Sequence, residues 1–84
     1  MEFFTEKQRI FSQTEEGKIV AEIDFEEIEK DVYNIYRTFV DDSLRGQGIA
    51  GKLMQMAVDE IGKRGGKIKA SCSYAIKWLE KNKE

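Results

Sequence analysis

Residues 45–53, RGQGIAGKL, combine residue types that can bind an anion. The segment holds three glycines and two basic residues, and it follows a β-rich stretch, VYNIYRTFV, after which the apolar spacing becomes helical. The first turn of a helix presents unpaired N–H groups and the positive end of the helix dipole, so it attracts anions. Glycine lets a large ligand approach the backbone and permits a positive φ. Gly46 and Gly48, with Arg45 beside them, therefore suit a diphosphate group.

Two common phosphate-binding loops do not match this segment. A Walker A loop needs a second glycine followed by lysine and a hydroxyl residue, and GQGIAGKL has neither that spacing nor the hydroxyl. A dinucleotide-binding loop follows the first strand of a parallel sheet, whereas three strands with antiparallel character precede this one. A plain strand-to-helix turn is the alternative without a binding role.

Cys72 is the second candidate for chemistry, because a thiol just before a helix can have a lowered pKa and react as the thiolate. The residues after it, YAIKWLEK at 74–81, predict a short helix that Ser73 could cap. Equally, a free cysteine is often only a small buried side chain. Tyr74 has the same two interpretations: it packs as part of an amphipathic helix, or its hydroxyl acts as an acid or hydrogen-bond donor.

Three strands are predicted before the loop. KQRIFSQ at 7–13 is a weak candidate, KIVAEIDFEE alternates, charged EIEKD turns the chain, and VYNIYRTFV at 32–40 is rich in strand-forming residues. In the alternating strand the apolar face holds Ile19, Ala21, Ile23 and Phe25. The opposite face holds Glu22, Asp24 and Glu26. We interpret this acidic row as a solvated face; the alternative is that part of it attracts an amine or supplies a general base.

The elements after the loop complete a mixed sheet. From Gly48 one helical face carries Ile49, Leu53, Met56, Ala57 and Ile61, and GKRGG ends that helix. KIKASC at 67–72 predicts a strand, and the last helix places Ile76, Trp78 and Leu79 in the core. A strand–loop–helix–strand unit normally joins parallel strands. The predicted fold class is therefore α+β, with the order β-β-β-α-β-α.

Composition limits the classes of function. Hydrophobic residues form 40% of the 84, enough for the core of one domain spanning 1–84. A net charge of −2 gives no basic face for nucleic acid, and short apolar runs with no signal-peptide core predict no membrane span. With no histidine and one cysteine, we expect no metal site and a reducing, cytoplasmic location. The strand near Lys7 should be an edge, and edges invite pairing, but the charged residues favour a monomer or at most a weak homodimer.

The pattern R-x-x-G-x-A, formed by Arg45, Gly48 and Ala50, resembles the acyl-CoA pyrophosphate loop of the GCN5-related N-acetyltransferases. Around it, TFVDDSLRGQGIAGKLMQMAVDEI and the later CSY look like the very small Yjdj-like acetyltransferase-domain proteins, over about residues 8–82. The resemblance implies a minimal version of that fold, without the N-terminal helices and C-terminal strands of larger members. It also implies acetyl-CoA as cosubstrate and an amine acceptor, which the sequence does not identify.

The resemblance also implies roles for individual residues. The diphosphate of acetyl-CoA would lie on the N–H groups of the loop, and the pantetheine arm would bond the backbone of Phe39 and Val40. Cys72 would protonate the leaving thiolate or carry the acetyl group, with Tyr74 as a second candidate acid. The residues expected on the diphosphate are Arg45, Gly46, Gln47, Gly48, Ile49 and Ala50.

Two positions depart from the pattern of the family. Arg37 stands where its small members usually have histidine, and Leu79 stands where larger members often have a tyrosine that reprotonates the thiolate. These departures favour an alternative function, a CoA-binding module without catalysis that acts as a sensor or partner subunit.

Overall fold

Five strands form one sheet with two helices packed on one face, as a computed structural model of residues 1–82 describes. The sheet order is β1-β2-β3-β4-β5; the first three pairings are antiparallel, and β4 and β5 are parallel. This is the predicted α+β class, and residues 83–84 of the predicted domain lie outside the described part. The elements are β1 (Phe4–Thr5), β2 (Arg9–Gln13), β3 (Ile19–Glu29), β4 (Val32–Val40), a 3₁₀ turn (Asp42–Leu44), α1 (Ile49–Lys63), β5 (Lys67–Ala70) and α2 (Ser73–Lys81).

The N-terminal edge of the sheet differs from the prediction. The edge is β1, a strand of two residues that pairs with β2, rather than the strand near Lys7. Phe4 lies opposite Phe11, with ring centroids 5.5 Å apart. A strand this short has no periodicity in the sequence, so only the contact between the rings reveals it.

The predicted turn EIEKD forms only at its last two residues. Strand β3 continues to Glu29, and the connection to β4 consists of Lys30 and Asp31. Asp31 has a φ of 60°, and its N–H donates to Glu27 Oε2 at 2.8 Å. The charged residues after Phe25 remain in a strand because that end of β3 is exposed, so their side chains stay in water.

The core lies between the sheet and α1. Ala21, Ile23 and Phe25 of β3 are fully buried, as predicted, together with Ile35 of β4. The buried face of α1 consists of Leu53, Met54, Ala57 and Ile61, so Met54 takes the central place expected for the half-buried Met56. In α2, Trp78 and Leu79 pack against the core, but Ile76 is 41% exposed and does not.

The end of α1 follows the predicted signal. Gly65 has a φ of 73°, and the N–H groups of Gly65 and Gly66 donate to the carbonyls of Gly62 and Ile61, both at 3.0 Å. These two bonds form a Schellman motif, which satisfies the last carbonyls of the helix. The motif leads the chain directly into β5.

Gly66 and Gly62 give a matched test of how closely the end of α1 packs against Tyr33 of β4. A Cβ on Gly66 would lie 2.7 Å from the Tyr33 ring, whereas a Cβ on Gly62 would have no atom within 4 Å. We expect Gly66→Ala to lower the free energy of unfolding by about 1–3 kcal/mol through overpacking. Gly62→Ala should raise it by about 0.5–1 kcal/mol, because alanine favours the helix. Urea unfolding measures both; a stable Gly66→Ala variant would contradict the close approach.

Candidate functional site

The glycine loop begins where β4 ends. Asp41 starts the 3₁₀ turn by accepting from Ser43, at 2.7 Å from the hydroxyl and 3.1 Å from the N–H. This donation holds the pKa of Asp41 below its ordinary value. Gly46 and Gly48 then adopt positive φ values of 80° and 72°, and Gly48 is the N-cap of α1. Residues other than glycine rarely adopt this backbone conformation, which explains why these two positions hold glycine.

The backbone of this loop presents free donors. The first hydrogen bond of α1 runs from Lys52 N–H to the Gly48 carbonyl at 3.1 Å, and the N-cap has no side-chain partner. Across residues 1–82, no group accepts a hydrogen bond from the N–H groups that precede Lys52 in the loop. These donors belong to Gly46, Gln47, Gly48, Ile49, Ala50 and Gly51.

A register shift in β4 sets which side chains face the helices. Asp24 pairs with Arg37, but Phe25 pairs with Ile35, so Tyr36 is an extra residue in β4. An extra residue of this kind reverses the alternation of side chains beyond it. As a result, Thr38 and Val40 lie on the same face as the buried Ile35, although their sequence spacing from it is odd.

Strands β4 and β5 separate beside this bulge. Their parallel pairing ends at Ile35 and Ala70, and the chain after Ala70 turns into α2. The last backbone hydrogen bonds to β4 are donated by the N–H groups of Ser71 and Cys72 to the Ile35 carbonyl, at 3.0 and 3.4 Å. Within residues 1–82, β4 beyond Ile35 therefore keeps a strand partner only on its β3 side, and its other edge is open.

Two cavities lie along this open edge and the loop. The larger is about 520 Å³ and the smaller about 200 Å³, and they share Val40, Arg45, Ala50 and Tyr74 in their linings. The structure thus brings together most of the predicted site residues, while Gln47 and Cys72 are not in either lining. The predicted residues that line one or both cavities are Phe39, Val40, Arg45, Gly46, Gly48, Ile49, Ala50 and Tyr74.

Cys72 lies beside the larger cavity, whose lining includes Thr38. Its half-buried Sγ forms a hydrogen bond with Thr38 Oγ1 at 3.7 Å. Burial raises the pKa of the thiol, but the N–H groups of Ala75 and Tyr74 and the Thr38 hydroxyl outweigh burial, so the pKa lies below its ordinary value. The N-cap of α2 is Cys72, not Ser73 as expected, because the helix begins one residue earlier than predicted.

The family of the chain follows from its sequence over residues 9–84, which match the model of the GCN5-related N-acetyltransferases. The chain belongs to the GCN5-related N-acetyltransferase family. The resemblance carried by the loop and CSY is confirmed, and so is the enzyme class, an acetyltransferase. No curated protein sequence matches this acetyltransferase.

Solved structures agree with the family. A GCN5-like protein from Staphylococcus aureus, classed with the N-acetyltransferases, is 33% identical with a TM-score of 0.80, over 96% of this chain and 79% of that one. An IAA acetyltransferase from Bacillus cereus is 19% identical with a TM-score of 0.68, over 87% and 51% of the two chains. A ribosomal-protein-alanine N-acetyltransferase from Brucella melitensis is 19% identical with a TM-score of 0.65, over 87% and 59%. The present acetyltransferase spans little more than half the length of the last two, which support the fold alone.

In this acetyltransferase Tyr74 is 40% exposed and reaches both cavities. It can do so because α1 and α2 approach closely at Gly51, where a Cβ would lie 3.8 Å from the Tyr74 hydroxyl and 3.7 Å from Trp78 Nε1. The tyrosine is therefore placed at the helix junction, with its ring on the cavity side rather than in the core.

The acidic row of β3 is not a solvated face throughout. The Glu22 and Asp24 side chains are only 12% and 11% exposed, and Arg37 Nη1 lies 3.3 Å from a carboxylate oxygen of each. The hydrogen bond with Asp24 is the main cause that raises the pKa of Glu22, followed by burial. Arg9 also pairs with Glu22 at 3.3 Å. The sequence interpretation missed this cluster, for which the single arginine on each neighbouring strand, Arg9 on β2 and Arg37 on β4, was the available signal.

The described residues contain neither a metal-binding cluster nor a membrane-spanning helix. Within residues 1–82, no group of three or more histidine, cysteine or acidic side chains is arranged to hold a metal ion. Neither α1 nor α2 has the length and apolar character to cross a membrane.

Proposed function

We propose that this acetyltransferase binds acetyl-CoA along the glycine loop and the open edge of β4, and transfers the acetyl group to an amine. The observation that carries the proposal is the row of free N–H groups from Gly46 to Ala50, beside cavities that continue to Phe39 and Val40. A diphosphate needs several converging donors and little else, so these residues fit that group.

Arg45 would add charge to the diphosphate site. Its Nε is 2.9 Å from Asp42 Oδ1, and both side chains are exposed. An exposed ion pair of this kind contributes about 0–1 kcal/mol, so Arg45 can exchange Asp42 for a phosphate at little cost.

The open edge of β4 would hold the pantetheine arm. Backbone groups of an unpaired strand edge bond an extended chain in the same way as another strand does. Pantetheine carries amide groups, so Phe39 and Val40 would bond it as a short strand. A backbone N–H where β4 and β5 separate would stabilise negative charge on the acetyl oxygen.

Bound acetyl-CoA would supply the acetyl group as a thioester. The amine nitrogen forms a bond to the carbonyl carbon, the carbon–sulfur bond breaks, and the amine loses a proton while the CoA thiolate gains one. Cys72, with Tyr74 as the alternative, would donate the proton to the thiolate. In a second route the Cys72 thiolate takes the acetyl group first and the amine then takes it from Cys72.

A second candidate function is CoA binding without transfer. Arg37, which replaces the histidine usual in small members, is held in ion pairs with Glu22 and Asp24 on the face away from the helices. Leu79 packs against the core and offers no proton. Neither Arg37 nor Leu79 therefore supplies the proton donor or the base that acetyl transfer needs. We also place the protein in the cytoplasm, since a chain with one free thiol and no disulfide is typical of a reducing compartment.

Calorimetry with acetyl-CoA, followed by detection of free CoA with a panel of primary amines, tests the proposal. We expect saturable binding of one acetyl-CoA and amine-dependent CoA release. Binding without release from any amine would support the non-catalytic module. Absence of binding would contradict both functions.

A further inference from the structure

The C-terminal edge of the sheet has unused backbone groups. β5 is the last strand in the order. On its β4 side, the Lys67 N–H donates to the carbonyl of Asp31, just before β4, at 2.7 Å, and the Ser71 N–H donates to the Ile35 carbonyl at 3.0 Å. Backbone groups alternate in direction along a strand, so those of Ile68 and Ala70 point away from β4. In residues 1–82, no strand pairs with that side of β5.

An apolar groove runs beside this edge. A cavity of about 590 Å³ lies between β5 and α2, and Ile76 in its lining is 41% exposed. The lining is Ile68, Lys69, Ala70, Ile76, Leu79, Glu80 and Asn82. Since Ile68 and Ala70 pack on the helix side, the groove lies on the same face as α2.

The charges at this edge decide what can pair with it. Lys67 and Lys69 are exposed and alternate with Ile68 and Ala70, so their side chains start on the face opposite the helices, although Lys69 also borders the groove. A second copy of β5, paired antiparallel by two-fold symmetry, would place lysine opposite lysine in either register. Like charges directly opposite are destabilising. Glu80 lines the groove itself from the α2 side, where the apolar side chains of a partner would enter.

We propose that the β5 edge binds an extended segment of another protein, in which acidic and apolar residues alternate. The backbone of that segment would pair with Ile68 and Ala70. Its apolar side chains would enter the groove against Ile76 and Leu79, and its acidic side chains would lie opposite Lys67 and Lys69. This is strand addition, in which backbone bonds supply affinity and alternate side chains supply specificity. The proposal does not depend on acetyl-CoA binding.

Amide NMR and hydrogen exchange with two capped peptides test the proposal. One peptide alternates glutamate and valine, and the other alternates lysine and valine. We expect only the acidic peptide to shift the amide signals of Ile68 and Ala70 and to slow their exchange. Lys69→Glu should weaken binding of the acidic peptide about fivefold and improve binding of the basic one, because it reverses one cross-strand charge pair.

Two further variants complete the experiment. Ile76→Ser should weaken binding of the acidic peptide without unfolding the protein, because Ile76 is exposed rather than part of the core. Lys7→Glu makes the same charge change near the opposite edge and should leave binding unchanged. Equal binding of both peptides, or no change at Ile68 and Ala70, would overturn the proposal. Protection of these amides that rises with protein concentration alone would also overturn it, in favour of a second copy.

Discussion

We expect Gly48→Val to weaken acetyl-CoA binding by about 100-fold or more, which corresponds to the loss of two charge-assisted hydrogen bonds. Gly48 lines the smaller cavity, and a Cβ built there meets no atom within 4 Å, so a side chain would occupy the space proposed for the diphosphate. Valine also disfavours the positive φ of this position, so the backbone of the loop would change conformation. Isothermal titration calorimetry measures the loss.

Gly17→Val is the matched control for this variant. Gly17 has a φ of 90° and open space around its Cβ position, but it lies in the turn between β2 and β3. Both variants carry a left-handed valine, which costs about 1–2 kcal/mol in stability. Only Gly48→Val should lose affinity for acetyl-CoA. Equal affinities for the two variants would show that the loop does not hold the diphosphate.

Arg45→Ala separates charge from backbone contact at the same site. Arg45 is largely exposed, so its contact with a phosphate is screened, and we expect a loss of about tenfold or less. A loss larger than that of Gly48→Val would contradict the primary role of the backbone N–H groups.

Cys72→Ala should reduce acetyl transfer strongly while leaving CoA affinity within a few-fold. The sulfur lies against Thr38 at the separation of β4 and β5, next to the end of the proposed pantetheine path. Because the pKa of the thiol is lowered, a larger fraction is thiolate at neutral pH, and thiolate is the reactive form. We therefore expect native Cys72 to react with iodoacetamide faster than a model thiol, and bound CoA to slow that reaction.

The pH dependence of alkylation tests the environment of Cys72 directly. Thr38→Val removes a hydroxyl that favours the thiolate, so the midpoint of the rate profile should move to higher pH. Mass spectrometry after incubation with acetyl-CoA separates the two proposed roles of Cys72, proton donor and acetyl carrier, since only an acetyl carrier gains mass at Cys72.

One outcome would contradict both roles. If Cys72 resists alkylation in the native protein and activity is intact in Cys72→Ala, the side chain has a packing role alone.

Much of the fold follows from local signals in the sequence. The alternation of β3, the helical spacing after Gly48 and the glycines that end α1 all predict the elements that form. The exceptions are features that depend on a neighbour. β1 exists because Phe4 meets Phe11, and β3 extends past its charged residues because its end is exposed to water.

In the candidate site, too, some features follow from the local sequence and others depend on neighbouring elements. The sequence by itself determined the glycine loop, because positive φ at Gly46 and Gly48 and the free N–H groups of a helix start are local properties. The order strand, loop, helix, strand determined that β4 and β5 are parallel and that Cys72 follows the second of them.

Only the tertiary structure decided how β4 meets its neighbours. The extra residue Tyr36 turns Thr38 and Val40 toward the helices, and the pairing with β5 stops at Ile35, which opens the strand edge beside Cys72. The same pairing places Arg37 between Glu22 and Asp24. A register shift is a property of two strands together, because hydrogen bonds and packing across the sheet select it, and neither strand carries it in its own sequence.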